Sequence, residues 1–224
     1  MDVSRASRKP SRRVSAGVGH PRLRLFRYGW MERLTVMPPQ LFVALWAVLL
    51  TVVFCASLGR VGAAAWAGLV LAGLLTWSLF EYVMHRYLFH LALPTEWGRR
   101  FVFLMHGNHH DDPDDPWRSI MPPIVSVTWS GAIWAAMAWV LGGAGTVLFL
   151  GFILGYVVYD AVHFACHRLP VRGRLMRMLR RHHLRHHHGR EEGNYAITAM
   201  FWDHVFGTYL SAKKAAGSAP RADA

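Results

Sequence analysis

The sequence predicts an all-α integral membrane protein: four transmembrane helices and a cytoplasmic helical cap holding a histidine-rich site for two metal ions. Three observations predict it. Four apolar stretches, at about 41–58, 61–80, 124–141 and 145–162, each have the roughly 18–20 residues a helix needs to cross a hydrocarbon core of about 30 Å. Lys and Arg divide unevenly about them. With the N-terminus inside, Arg60 alone of the 25 lies on the outer side. Ten of the 14 histidines fall into four short clusters on the predicted cytoplasmic side.

The elements follow in order. Residues 1–40 read as a basic N-terminal arm and interfacial segment. Within it, 1–27 is rich in Arg and Ser, has no apolar face, and is expected to be disordered on anionic lipid. The first apolar stretch begins too far from the start for an ordinary signal peptide. The membrane domain is expected over 41–211. Its first two spans meet near Gly59–Gly62 and its last two near Gly142–Gly145, both short enough for tight helical hairpins. The tail 212–224 is expected to be disordered. Trp30, Trp77, Tyr82, Trp117 and Trp129, near span ends, read as membrane-interface anchors. Cys55 and Cys166 form no disulfide framework. The net charge of +12 follows from membrane orientation without a nucleic-acid partner. No oligomeric state is specified.

The clusters are His85 and His90; His106, His109 and His110; His163 and His167; and His183, His186 and His187. From residue 61 to 85 a helix runs about 36 Å, and from 145 to 163 about 27 Å, so both helix-borne clusters land at the cytoplasmic membrane face. Positions i, i+3 and i+4 share a helical face, so each His-x-x-His-His cluster points three imidazoles one way. His85 and His90 stand about 140° apart round a helix, and a shared site needs a distortion or a helix end between them. Neutral imidazole is the commonest ligand for transition metals, and ten are too many for one ion but suit two. Any single cluster is also what a surface pair or a metal-sequestering tract would show; the joint pattern points to a metal site. His20, His182, His188 and His204 fall outside the spacings and read as non-ligands. Glu81 and Asp160, one turn before His85 and His163, are candidate acceptors for a ligand's second nitrogen. The acidic run 111–115 reads as a solvated turn.

In these residues the chain resembles the fatty acid hydroxylase superfamily, also called the sterol desaturase family. The segments are Glu81-Tyr82-Val83-Met84-His85-Arg86 with Phe89-His90, then His106-Gly107 with His109-His110, Pro113 and Asp115, then Tyr159-Asp160 with His163 and His167. His183 with His186-His187 follows, and last Trp202-Asp203 with Val205-Phe206-Gly207-Thr208. The stretch from Arg118 to Pro122-Pro123 is most similar to fatty acid 2-hydroxylases, here expected without a cytochrome b5 domain. The family's Phe-Gly-x-Thr after the last box is replaced by Tyr195-Ala196-Ile197-Thr198. The resemblance implies two iron ions on the ten histidines, replaceable by zinc in purified protein, with molecular oxygen as oxidant. Asp203, in the last motif, joins Glu81 and Asp160 as a candidate outer partner of the ligands.

An unactivated C–H bond is too strong for acid–base chemistry, and a metal pair with oxygen supplies the hard step. The expected function is hydroxylation of a membrane lipid's acyl chain near its polar end, at carbon 2. A site at the membrane face reaches that carbon while the tail stays in lipid. An external electron donor is implied, a ferredoxin or cytochrome b5 with its reductase. The alternatives are a sterol or carotenoid hydroxylase or desaturase of the same superfamily, and, from another class, a membrane metal-binding or transport protein. A transporter places its ligands near the bilayer midplane.

Overall fold

The computed structural model describes residues 23–189 and 191–212, and these are all-helical. The expectations for the tail after 212, for His20 and for the arm over 1–22 lie outside the described residues. α1 (Gly29–Arg33) is a single turn. α2 (Pro39–Ser57) and α3 (Ala63–Val83) form the first hairpin, and a π-helical segment, Met84–Phe89, extends α3. α4 (Glu96–Val102) runs into a second π segment, Phe103–Gly107, and then α5 (Asn108–Asp111). α6 (Pro123–Leu141) and α7 (Gly143–Arg168) form the second hairpin. α8 (Arg174–His188) and α9 (Phe201–Val205) complete the chain.

Four helices are long and apolar enough to span a membrane: Pro39–Ser57, Ala63–Phe89, Pro123–Leu141 and Gly143–Arg168. They are the four expected spans, with the second running past its expected end through the π segment. Proline opens α2 and α6, where a missing amide proton costs the first turn nothing. The hairpin turns are closed by Gly59 at φ +68° and Gly142 at φ +59°, a region side chains resist. Val43, Leu71, Leu75 and Trp139 point outward on the spans, an apolar exterior suited to lipid rather than water.

α7 is the central helix, with α2, α3 and α6 packed against it. Its closest neighbour is α3, and small residues set the approach: a Cβ on Gly151 would lie 1.9 Å from the Val70 carbonyl oxygen, and one on Gly73 2.1 Å from that of Leu148. Phe149, Phe152, Ile153, Tyr156 and Tyr159 of α7 fill the core with Trp46 and Trp77. Trp77 and Tyr82 are therefore not the interface anchors expected from their place near a span end. Trp77 is buried edge-on against Phe152 and Tyr156. Tyr82 is fully buried, with its hydroxyl 2.9 Å from Thr208 Oγ1. They lie on the face of α3 turned inward, which nearness to a span end does not reveal. Trp30 and Trp129 are exposed.

The acidic run also departs from a wholly solvated turn. Asp115 is buried, accepting from the Trp117 amide and from Arg118. Arg118 also pairs with Glu32, whose carboxylate takes the Leu25 and Phe26 amides, so the segment before α1 is fastened to the bundle.

Candidate metal centre

The ten clustered histidines meet at one end of the bundle as two groups of five. His85, His90, His106, His110 and His186 form one; His109, His163, His167, His183 and His187 form the other. Within each group the nearest ring nitrogens lie within 4.8 Å of one another. Each His-x-x-His-His cluster shares a helical face as expected, but its three imidazoles do not go to one place. His106 and His110 enter the first group and His109 the second. His183 and His187 enter the second and His186 the first. The groups abut, with the His110 and His187 rings stacked at 4.3 Å between centroids.

The π segments explain how. An i→i+5 turn carries one residue more than an α turn, which brings His85 and His90 onto one side with their Nε2 atoms 3.3 Å apart. This is the distortion their spacing demands. The segment Phe103–Gly107, continuing α4, itself carries His106. His163 and His167 come from the last turns of α7, and the α8 histidines from its last two turns.

The spacing tests the fit to an ion. In the first group the Nε2 atoms form a closed ring: His85–His106 3.1 Å, His106–His110 3.1 Å, His110–His186 3.2 Å, His186–His90 3.1 Å and His90–His85 3.3 Å. In the second, His109–His163 is 2.9 Å, His167–His183 2.7 Å and His183–His187 3.0 Å. Imidazoles bound at about 2.0–2.1 Å, as on zinc, stand about 3 Å apart at right angles. Five such ligands suit one ion with a further position open.

The tautomers agree. His85 Nδ1 donates to the Tyr195 carbonyl at 2.5 Å, and His186 Nδ1 to the Gly193 carbonyl at 2.8 Å. A carbonyl only accepts, so both protons sit on Nδ1 and both Nε2 lone pairs face inward. Lone pairs turned toward a common point repel unless a cation lies between them. Burial, reinforced by neighbouring imidazoles, holds His106, His109, His183 and His186 well below the ordinary histidine range. Burial also lowers His90 and His187. These rings are neutral at pH 7, the form that binds metal.

The three candidate carboxylates lie close by but bond elsewhere. Glu81 accepts from the amides of Ile197 and Thr198 at 2.6 and 2.9 Å, not from a ligand imidazole. Asp160 accepts from the Met121 amide at 3.3 Å. Asp203 takes the Tyr195 and Ala196 amides and His182 Nε2. His182 stands outside both groups, buried against that carboxylate. The partners of the clustered histidines that residue type did not reveal include the backbone carbonyls of Gly193 and Tyr195. A carbonyl belongs to every residue type, so no sequence signal marks it.

Four apolar spans with two adjacent all-histidine groups at one end define a class: multi-pass membrane proteins with a paired histidine cluster able to hold metal. The family model for fatty acid hydroxylase matches residues 70–208, and the chain belongs to that family. It is 37% identical over 151 residues to the dihydroceramide fatty acyl 2-hydroxylase FAH2 of Arabidopsis thaliana, an alignment covering 66% of this chain and 64% of that protein. It is 36% identical over 186 residues to the ceramide very long chain fatty acid hydroxylase scs7 of Schizosaccharomyces pombe, covering 80% of this chain and 53% of that one. The match thus spans under two thirds of either relative's length. A solved structure of full-length scs7p, with only the hydroxylase domain visible, superposes with a TM-score of 0.75 at 32% identity, covering 82% of this chain and 70% of that one.

Proposed function

We propose that the chain is a di-iron, oxygen-dependent lipid hydroxylase acting on carbon 2 of a fatty acyl chain, with its ten clustered histidines as the metal ligands. The observation that carries the reading is an apolar cleft leading to both histidine groups. Its volume is about 290 Å³, and residues of α1 and of the start of α6 line it. Met31, Leu34, Phe89, Leu104, Met121 and Ile124 line it, and it ends on His106 of one group and His109 and His163 of the other. A lipid chain laid there meets both sites at once. The protein's similarity to fatty acyl 2-hydroxylases supports the carbon assignment.

Iron bound here would supply the oxidation of a C–H bond by molecular oxygen. The chain's own residues hold and orient. The cleft's apolar lining excludes water from the reacting carbon, and the imidazoles, being neutral, present lone pairs without first losing protons. We place the site and both termini on the cytoplasmic side, following the bias of Lys and Arg. There a carbon beside the polar headgroup lies at the depth of His85 and His163, while a mid-chain carbon would have to bend back toward the membrane face. Inserting one oxygen atom and reducing the other to water consumes two electrons. An acidic ferredoxin, or a cytochrome b5 with its reductase, fits the basic cytoplasmic face by charge.

The test is fragmentation mass spectrometry of lipids from cells expressing the wild type or His183→Ala. A hydroxyl at carbon 2, present only with the wild type, is expected. One beyond mid-chain, or on a sterol or carotenoid ring, would refute the substrate assignment and leave the metal pair standing.

A further inference from the structure

We infer that residues 193–198 are a backbone cradle serving the first histidine group alone, and that Asp203 and Glu81 are the positioning residues that set it. The inference rests on the metal pair of the proposed function.

The segment has no regular secondary structure, so no helix or sheet ladder holds its peptide planes. Buried acceptors hold them instead. The Asn194 amide donates to the Thr208 carbonyl at 2.9 Å. The Tyr195 and Ala196 amides donate to the two oxygens of Asp203 at 2.8 and 3.0 Å. The Ile197 and Thr198 amides share one oxygen of Glu81, and the Thr198 hydroxyl donates to the other at 2.5 Å. Five successive amides are thus engaged, four of them by two carboxylates that are 3% and 0% exposed.

The consequence for the histidines follows from the planar peptide. The Tyr195 carbonyl and the Ala196 amide are opposite ends of one rigid unit. Asp203 holds the amide end, and His85 Nδ1 donates to the carbonyl end. The Gly193 carbonyl and the Asn194 amide form a second such unit, with His186 on the carbonyl and Thr208 on the amide. The Thr208 hydroxyl donates to Asp203 at 2.7 Å and its amide to the Asp203 carbonyl at 2.8 Å, so both planes lead back to Asp203. A carboxylate pulling on the amide end makes the carbonyl a stronger acceptor. The imidazole below it gains a fixed tautomer and a more basic Nε2, the service a carboxylate performs when it bonds a metal-bound histidine directly. Glu81 anchors the rest of the cradle to α3, one turn before His85, so the ring and its carbonyl partner move together.

Both histidines served are in the first group. In the second group the Nδ1 atoms of His109, His183 and His187 meet no acceptor among the described residues, and that of His163 faces the Ser119 carbonyl, outside the cradle. The cradle therefore discriminates between two otherwise similar five-histidine sites.

The test reads metal retention by the purified full-length chain in detergent, loaded with zinc or ferrous iron and challenged with a chelator. Asp203→Asn turns an amide hydrogen toward donors that need an acceptor. It is expected to speed release of one ion roughly ten- to a hundredfold and leave the other unchanged, the range typical of losing an outer partner of a ligand. Glu81→Gln keeps the oxygen that two amides share and should hold both ions, whereas Glu81→Ala should loosen the same single ion. In a His163→Ala background, which weakens the second group, Asp203→Asn should destabilise the ion that remains. Thr208→Val, which removes one bond to Asp203, decides the matter should Asp203→Asn fail to fold: a smaller, equally one-sided effect is expected. Equal loosening of both ions, or none, in variants of a two-ion protein overturns the inference. A wild type that takes up fewer than two ions overturns the metal pair itself, and the inference with it.

Discussion

His109 and His110 are neighbours in sequence, yet their rings go to different groups, and so do those of His186 and His187. Each substitution should therefore strike one site. His109→Ala and His186→Ala are each expected to lower bound metal from two ions per chain toward one, and the double variant toward none, by elemental analysis. Unchanged stoichiometry in both single variants would rule the centre out. Burial gives the same residues a pH signature. The folded state holds His106, His109, His183 and His186 well below the ordinary histidine value of about 6.5. Below pH 6.5 the unfolded chain takes up protons that the folded chain refuses, so acid favours unfolding; above it the two states match at these positions. The metal-free protein should lose thermal stability as pH falls from about 6.5 toward 5, and His109→Ala should flatten that fall. A melting temperature that does not change over this range would contradict the burial of neutral rings.

At the scale of elements, the π segment Met84–Phe89 decides whether His90 belongs to the site. Such a segment is an α-helix with one residue inserted. Deleting Leu88 should restore α-helical winding and set the two histidines four apart, still on one face, whereas an alanine inserted after Leu88 should turn His90 away by about 100° and remove it from the first group. The expected result is both ions held by the deletion variant and, with helix content intact by circular dichroism, faster loss of one ion from the insertion variant. If the insertion variant holds both ions as in the wild type, the π turn is not what delivers His90. The same scale explains the span packing. α7 is buried on most sides because it lies between the other spans, while α2, α3 and α6 turn most of their surface to lipid.

At the scale of the whole molecule, both histidine groups and the cleft lie at one end of the bundle. Every box is carried to that end because the two hairpins are each tight and their spans each cross once. The orientation proposed from the Lys and Arg bias has a direct check. Reporter fusions at residue 224 and in the 142–145 turn should report opposite sides, with the C-terminal fusion cytoplasmic. A C-terminus across the membrane would sink the topology and move the electron donor to the other compartment.

The chain itself determined the spans, because a bilayer demands length and apolarity that can be counted along the sequence. It determined the ten histidines for a similar reason: histidine is a rare residue type, and four clusters of it, three at helical spacings, are conspicuous. It also announced a conflict at His85 and His90, since five residues do not fit one face of an α-helix. What resolved that conflict, a π turn, depends on how α3 packs and is not spelled by residue type. The division of the ten rings into two fives was decided by how the helix ends meet, because each His-x-x-His-His cluster shares one face and a shared face does not say which neighbour it meets. The inward burial of Trp77 and Tyr82 was decided the same way, by which side of α3 presses on α7. The roles of Asp203, Glu81 and the carbonyls of Gly193 and Tyr195 belong wholly to the tertiary structure. They act through backbone atoms common to every residue, and only the fold brings those atoms within hydrogen-bond distance of the imidazoles.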